Sequence, residues 1–236
     1  MKHSVWLLVA LTVVVWGGCF DEIDARWQLD HDHVVVARAT PPRVRSGDAT
    51  NLDALVAHAG RGVSIENPLT AEVGSARFAA YLSQHDGAWT LTAPDAQVLA
   101  SARPALGLPE DAPVPVEVLL TFPRSTDRDA PDPVRVKKTV WLGEPSENPV
   151  VPPVTIDGAP AGDEVVVPLD RDVYLTVLAQ GMRVNWLTSV GTLFQDDEAT
   201  AFVHVAPDDK PAGELVVVVR DDEGGVAWRV WPMRAE

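Results

Sequence analysis

The sequence contains a single cysteine, Cys19, among 236 residues. One thiol cannot close an internal disulfide, so no disulfide framework holds the fold, and stability must come from buried apolar side chains. Long apolar runs are missing too. The stretch from Val5 to Trp16 has 12 residues, broken only by Thr12, whereas a helix crossing the hydrocarbon core needs about 20. Cations are scarce: 19 Lys+Arg stand against 34 Asp+Glu, a net charge of −15. A body of that charge is repelled by nucleic acid and by anionic headgroups, which disfavours both as partners. The motifs of common chemistries are also absent. There is no G-x-S-x-G elbow, no Walker loop and no G-x-G-x-x-G following a strand. The sequence therefore offers no catalytic residues and no cofactor site, and a non-enzyme is expected.

What is present begins at the N-terminus. Lys2 and His3 form a short basic start, and the apolar run that follows has the length of a secretory signal's apolar region, about 7–15 residues. Gly17, Gly18 and Cys19 come next, then the acidic stretch Asp21, Glu22, Asp24. This order resembles the lipobox of bacterial lipoproteins, in which a peptidase cuts before a cysteine that becomes lipid-modified. Trp16 departs from the pattern, which has an aliphatic residue there, commonly leucine. The resemblance implies a signal peptide over residues 1–18, cleavage between Gly18 and Cys19, acylation of Cys19, and a tether over residues 19–27. The partner would then be the lipid bilayer, reached through acylated Cys19. Each buried methylene contributes about 0.8 kcal/mol, and stable anchoring needs two or more signals, which a di- or triacylated cysteine supplies. Phe20 is not the aspartate that retains such proteins in the inner membrane of enteric bacteria, so the pattern points to a cell-envelope protein at the outer membrane. Cleavage removes Lys2 and no anion, leaving 18 Lys+Arg against 34 Asp+Glu and a net charge of −16.

Downstream the patterns are strand-like. "DHVVVARAT" ends at the pair Pro41-Pro42, and the alternation after Gly47-Asp48 puts Leu52, Ala54 and Val56 on one face with Asp53 and Leu55 on the other. "SARFAAYLSQHDGAWTLTA" reads as strand, Gly87 turn, strand. "PDAQVLASAR" reads as a helix started by Pro94 or Asp95, with Val98, Leu99 and Ala102 at helical spacing, and ended by Pro104. "LPEDAPVPVEVLLTF", with Pro113 and Pro115 at an edge or strand start, and "VRVKKTVWL" flank the loop "DRDAPDP". Four prolines in residues 145–153 make a stiff connector. Beyond it, "DEVVVPL", "DVYLTVLA", "MRVNWLTS", "TAFVHVA", "ELVVVVRD" and "GVAWRVWPM" form six strands at the spacing of an antiparallel sandwich. "DDEGG" reads as a hairpin tip, with Gly224 and Gly225 free to take positive φ.

Three stretches carry a second resemblance: "VVVARATPPRVRSGDATNLDALV", "ENPVVPPVTIDG", and "VNWLTSVGTL" with "LVVVVRDDEGGVAWRVW". Together they look like a group of myxobacterial-type envelope lipoproteins with Ig-like domains, mostly uncharacterised. Trp186 takes the place of the core tryptophan of an Ig-like C strand. The resemblance implies an all-β fold of two Ig-like antiparallel β-sandwich domains, the first with a short helical insertion. Domain one would cover residues 28–144, the proline-rich linker 145–153 and domain two 154–236. It implies no catalytic residues.

Three candidate ligand features remain. "DHDH" puts His31 and His33 on one face of a strand, with Asp30 and Asp32 beside them, but His58, His85 and His204 lie far off in sequence, so a solvated strand start is the better reading and no metal ligand is assigned. The acidic groups Asp127, Asp129 and Asp132, Asp196, Asp197 and Glu198, and Asp221, Asp222 and Glu223 lack EF-hand spacing. Eight tryptophans raise the idea of sugar stacking, although Trp6 and Trp16 belong to the signal and Trp141, Trp186 and Trp228 fall in strand patterns. Trp228 and Trp231, three apart, point to opposite faces of a strand. The expected function is therefore a membrane-anchored, non-catalytic structural, adhesive or scaffold role at the cell envelope, with an envelope protein or glycan as partner. The competing reading is a glycan- or ligand-binding module at the cell surface.

Overall fold

A computed structural model describes residues 25–124 and 133–236. The N-terminal apolar run, Gly18, Cys19, Trp6, Trp16, Phe20 and the loop carboxylates Asp127, Asp129 and Asp132 lie outside the described residues. Among the described residues no helix is long and apolar enough to cross a membrane.

The first half runs β1 (His33–Thr40), β2 (Arg43–Val44), β3 (Ala49–His58), β4 (Gly62–Glu66), β5 (Thr70–Val73), a 3-10 turn (Ala79–Tyr81), β6 (Leu82–His85), β7 (Ala88–Thr92), α1 (Ala96–Ala105), β8 (Val114–Phe122) and β9 (Val134–Leu142). One sheet has the order β1-β3-β7-β6, with β4 pairing β3; the facing sheet has the order β2-β9-β8-β5. Leu52, Ala54 and Val56 fill the space between the sheets together with Leu91, Val118 and Leu120, as the alternation requires. Pro115 pairs with Trp141 of β9, while β5 reaches only residues 118–121 of β8. The missing N–H of Pro115 thus faces an open edge.

The helix begins where expected: the Asp95 carboxylate accepts the Val98 N–H at 2.9 Å, an N-cap bond that satisfies one free amide of the first turn. It buries Leu99 and Ala102 in the first core. Pro104 does not end it; the proline sits in the last turn and the helix runs to Ala105. Termination is set by Gly107 at φ +68°. The Gly107 N–H bonds the Pro104 carbonyl at 3.1 Å and the Leu108 N–H bonds the Arg103 carbonyl at 2.9 Å. That is the paired closure of a Schellman motif, which uses a left-handed residue.

The second half contains β10 (Val154–Ile156), β11 (Ala159–Pro160), β12 (Val165–Val167), β13 (Val173–Val177), β14 (Arg183–Thr188), β15 (Thr192–Phe194), β16 (Thr200–His204), β17 (Ala212–Arg220) and β18 (Val226–Ala235). The sheets are β11-β10-β13-β16-β15 and β12-β18-β17-β14. All six expected strands are there, and β10, β11 and β15 are additional. Among the described strands pairing is antiparallel except for two short ones, β2 along β9 and β12 along β18, which run parallel to their neighbours, as does the isolated bridge from Gln28 to Thr188. Trp186 is fully buried between these sheets and donates its Nε1–H to the Glu198 carbonyl at 3.1 Å. Among the described residues the fold is therefore all-β, built of sandwiches, with one short α-helix.

A third apolar cluster lies between the two sandwiches. Leu55 and Ala57 of β3 and Val36 of β1 meet Leu187, Val216, Val218 and Val226, with Val63, Trp228 and Val230 packed around them. This explains the continuous run in "ELVVVV". Leu215, Val217 and Val219 face their own sandwich core while Val216 and Val218 face the other sandwich, so the strand has no polar face. Asn148 of the proline-rich connector ties the two halves together. Its amide donates to the Ala39 carbonyl at 2.8 Å, and its Oδ1 accepts the Val226 N–H at 2.8 Å.

Candidate functional site

The features singled out in the sequence are dispersed. His31 and His33 stack with ring centroids 4.4 Å apart, but their ring nitrogens turn to Asp30 and to the His31 carbonyl. The histidine that does gather carboxylates is His58. It is buried, with Nε2 2.6 Å from Glu66 Oε1 and Nδ1 3.5 Å from Asp32 Oδ1. The Ser64 hydroxyl donates to the same Glu66 oxygen at 2.9 Å, so it sits on the carboxylate rather than on the imidazole, and the group lacks the hydroxyl–imidazole contact of an activated nucleophile. Among the described residues no group of three or more His, Cys, Asp or Glu side chains is arranged to hold a metal ion. Asp221 is occupied by its own hairpin: Oδ1 accepts the Glu223 and Gly225 N–H groups at 2.9 and 2.7 Å. Of the two tip glycines only Gly224 takes positive φ.

None of the six described tryptophans is exposed. Trp186 and Trp231 are buried, and Trp27, Trp89, Trp141 and Trp228 are partly covered. Trp228 and Trp231 do face opposite ways, into the junction and into the second core respectively. The exposed aromatic face is elsewhere. Tyr174, Phe202 and Phe194 lie side by side across β13, β16 and β15, with Phe194 and Phe202 stacked at 4.6 Å. Cross-strand aromatic pairs of this kind stabilise a sheet by themselves.

The most elaborate polar geometry is at the junction. Arg38 grips Asp53 with two hydrogen bonds, Nε to Oδ1 at 3.0 Å and Nη2 to Oδ2 at 2.6 Å, and lays its guanidinium 4.0 Å from the Trp228 ring centroid. The Glu214 carboxylate, from the second half, accepts the Val63 N–H of β4 at 2.7 Å. Trp27, Gln28 and Leu29 belong to this region too. The Thr188 N–H bonds the Trp27 carbonyl at 2.9 Å and the Leu29 N–H bonds the Thr188 carbonyl at 3.0 Å, so the segment adds itself to the β14 edge of the second sandwich. Trp27 packs on the second core and Leu29 on the junction cluster.

Beside this apolar contact opens a cleft of about 310 Å³, lined by Lys137, Lys138, Trp141, Arg183, Arg220 and Asp221 among others. Lys138 stands in the inward phase of β9, between Val136 and Val140, yet its Nζ reaches across to donate to the Gly224 carbonyl at 2.8 Å. Only 8% of it is exposed. Burial, and then the neighbouring Arg220 guanidinium, push its ammonium down to about 8. Arg220 is itself lowered by burial and by Arg183, which lies directly opposite it across β14 and β17.

No protein-family model matches the chain, and no curated protein matches it. Among solved structures, the tandem Ig repeats of Dlar align over 84% of this chain and 95% of theirs, at 11% identity and a TM-score of 0.29. The N-terminal Ig1-2 module of the Drosophila receptor protein tyrosine phosphatase DLAR aligns over 87% and 98%, at 11% identity and 0.30. Fibronectin(III)-like modules of Clostridium thermocellum CbhA align over 85% and 94%, at 13% identity and 0.25. Likenesses of this size carry no functional argument.

Proposed function

We propose that the protein is a lipid-anchored, non-catalytic structural, adhesive or scaffold module of a bacterial cell envelope, held in the outer membrane through Cys19. The observation that carries this reading is the order of the N-terminus: a 12-residue apolar run, two glycines, the chain's only cysteine, and an acidic stretch. The attachment of residues 25–29 to the second sandwich supports it. Five residues separate Cys19 from Ala25, a reach of at most about 20 Å for the six extended Cα–Cα steps, so an acylated Cys19 would hold the body close to the bilayer. The interlocked junction suits a spacer or scaffold that keeps its two sandwiches in fixed relation. A tryptophan platform for sugars gains no support, since every described tryptophan is at least partly covered.

The test is mass spectrometry of the N-terminus of the protein from its bacterial host, beside the Cys19→Ala variant. A chain beginning at acylated Cys19 in the membrane fraction, with Cys19→Ala released to the soluble fraction, is the expected result. An unacylated wild type that fractionates like the variant overturns the reading.

A further inference from the structure

The junction cleft concentrates positive charge in a chain that carries −15 overall. Four cations, Lys137, Lys138, Arg183 and Arg220, line it against one carboxylate, Asp221. Of these four, Lys137 has an ion-pair partner among the described residues, Glu117 at 3.4 Å. Among the described residues Lys138, Arg183 and Arg220 pair with no carboxylate: Lys138 donates to a carbonyl and Arg220 to Asn185 Oδ1. Asp221 is held by hairpin amides, and Asp53, the next carboxylate felt by Lys138, is held by Arg38. Like charges directly opposite on neighbouring strands destabilise a sheet, and Arg183 faces Arg220 in that register. A nearly buried ammonium beside them adds a desolvation cost. An arrangement that by itself costs stability, in a concave space lined by two arginines and two lysines, is complementary to an oxyanion.

We propose that this cleft binds a phosphate-type dianion, either free phosphate or the head of a small phosphate monoester. The excess of cations over the single carboxylate suits two negative charges better than one. Arg183 and Arg220 line it from one sandwich, with one arm of Arg220 on Asn185 Oδ1, and Lys138 and Trp141 line it from the other. The space of about 310 Å³ fits an isolated phosphate group and its first substituent. The site draws on residues of both halves, so occupancy also tightens their contact. This proposal is independent of acylation at Cys19.

Calorimetric titration of the full-length protein at low ionic strength and pH 7 tests it, with inorganic phosphate and glycerol 1-phosphate as probes and acetate as the monoanionic control. Saturable 1:1 binding of phosphate is expected, at least tenfold tighter than acetate. Arg183→Gln, an exposed position that leaves folding intact, and Lys138→Met each weaken it at least tenfold. Arg171→Gln, which removes an exposed cation elsewhere, leaves it unchanged. Vesicles containing phosphatidic acid separate the sources: binding that also fails in Arg183→Gln assigns a lipid headgroup, and binding to the soluble probes alone assigns a soluble anion. Absence of saturable binding, equal affinity for acetate, or equal loss in Arg171→Gln overturns the proposal.

Discussion

Arg38 of the first sandwich stacks its guanidinium 4.0 Å from the ring centroid of Trp228 in the second, while both arms of its fork hold Asp53. The pair joins the halves at a point where an arginine's apolar plane and its charge are both used. Such a cation–π contact contributes about 0.5–1 kcal/mol when exposed and about 2 kcal/mol when desolvated. Arg38→Ala is therefore expected to lower unfolding stability by about 1–3 kcal/mol, adding the lost charge-assisted bonds, and to shift Trp228 emission to longer wavelength. Arg38→Lys, which keeps the charge and loses the fork, should fall between. Wild-type emission and stability in Arg38→Ala would show that the contact does not hold the junction.

Gly62 and Glu214 give a second test. Gly62 has φ +83°, and a Cβ there would stand 2.5 Å from Glu214 Oε2, the oxygen that accepts the Val63 N–H. Gly62→Ala meets a left-handed backbone costing about 1–2 kcal/mol for an L-residue and displaces the carboxylate from its bond. A loss of about 2–3 kcal/mol is expected, with faster hydrogen exchange at the Val63 amide. Because both changes break one contact, Gly62→Ala combined with Glu214→Ala should cost less than the sum of the single variants. Strict additivity would count against the contact.

Lys138 predicts a pH dependence of definite sign. Its folded-state value of about 8 lies below the unfolded 10.5, so between those values the unfolded chain holds a proton that the folded chain has released. Stability contributed by this residue therefore rises with pH across that window, and below pH 8 burying the charge costs about 3 kcal/mol. Lys138→Met loses the bond to Gly224 but avoids that cost. It should be the more stable protein at pH 7 by about 1–3 kcal/mol, and its advantage should vanish by pH 10–11, as read by urea unfolding at both pH values. A variant less stable than wild type at pH 7 would contradict the assignment.

The same lysine shows how much could be read from the chain itself. In "VRVKKTVWL" the phase of Val136, Val140 and Leu142 points inward, and Lys138 interrupts it, so an anomalous inward cation is legible from alternation alone. Its partners are not, because Arg183 and Arg220 meet only once β14 and β17 pair. The alternation in "NLDALV" located the first core, yet Leu55 on its opposite face belongs to a second buried layer that no single-strand pattern specifies. "ELVVVV" could be read as a central strand; that its two faces serve two different cores depends on where the other sandwich sits. Strands of two or three residues, such as β11 and β15, carry too few positions for a period to appear. The attachment of Trp27 and Leu29 to Thr188 joins positions about 160 residues apart, which local signals do not reach. Pro104 reads as the end of the helix, but the last turn tolerates it and Gly107 supplies the stop.

Differential scanning calorimetry of the wild type beside Val218→Asp asks whether a third core makes one cooperative body of the two sandwiches. Val218 is fully buried in the junction cluster, and an aspartate there is an unpaired charge in an apolar layer. One wild-type transition is expected, with calorimetric and van't Hoff enthalpies equal as for a single cooperative unit, and two separate transitions in the variant. Two transitions already present in the wild type, at temperatures that Val218→Asp leaves unchanged, would contradict it.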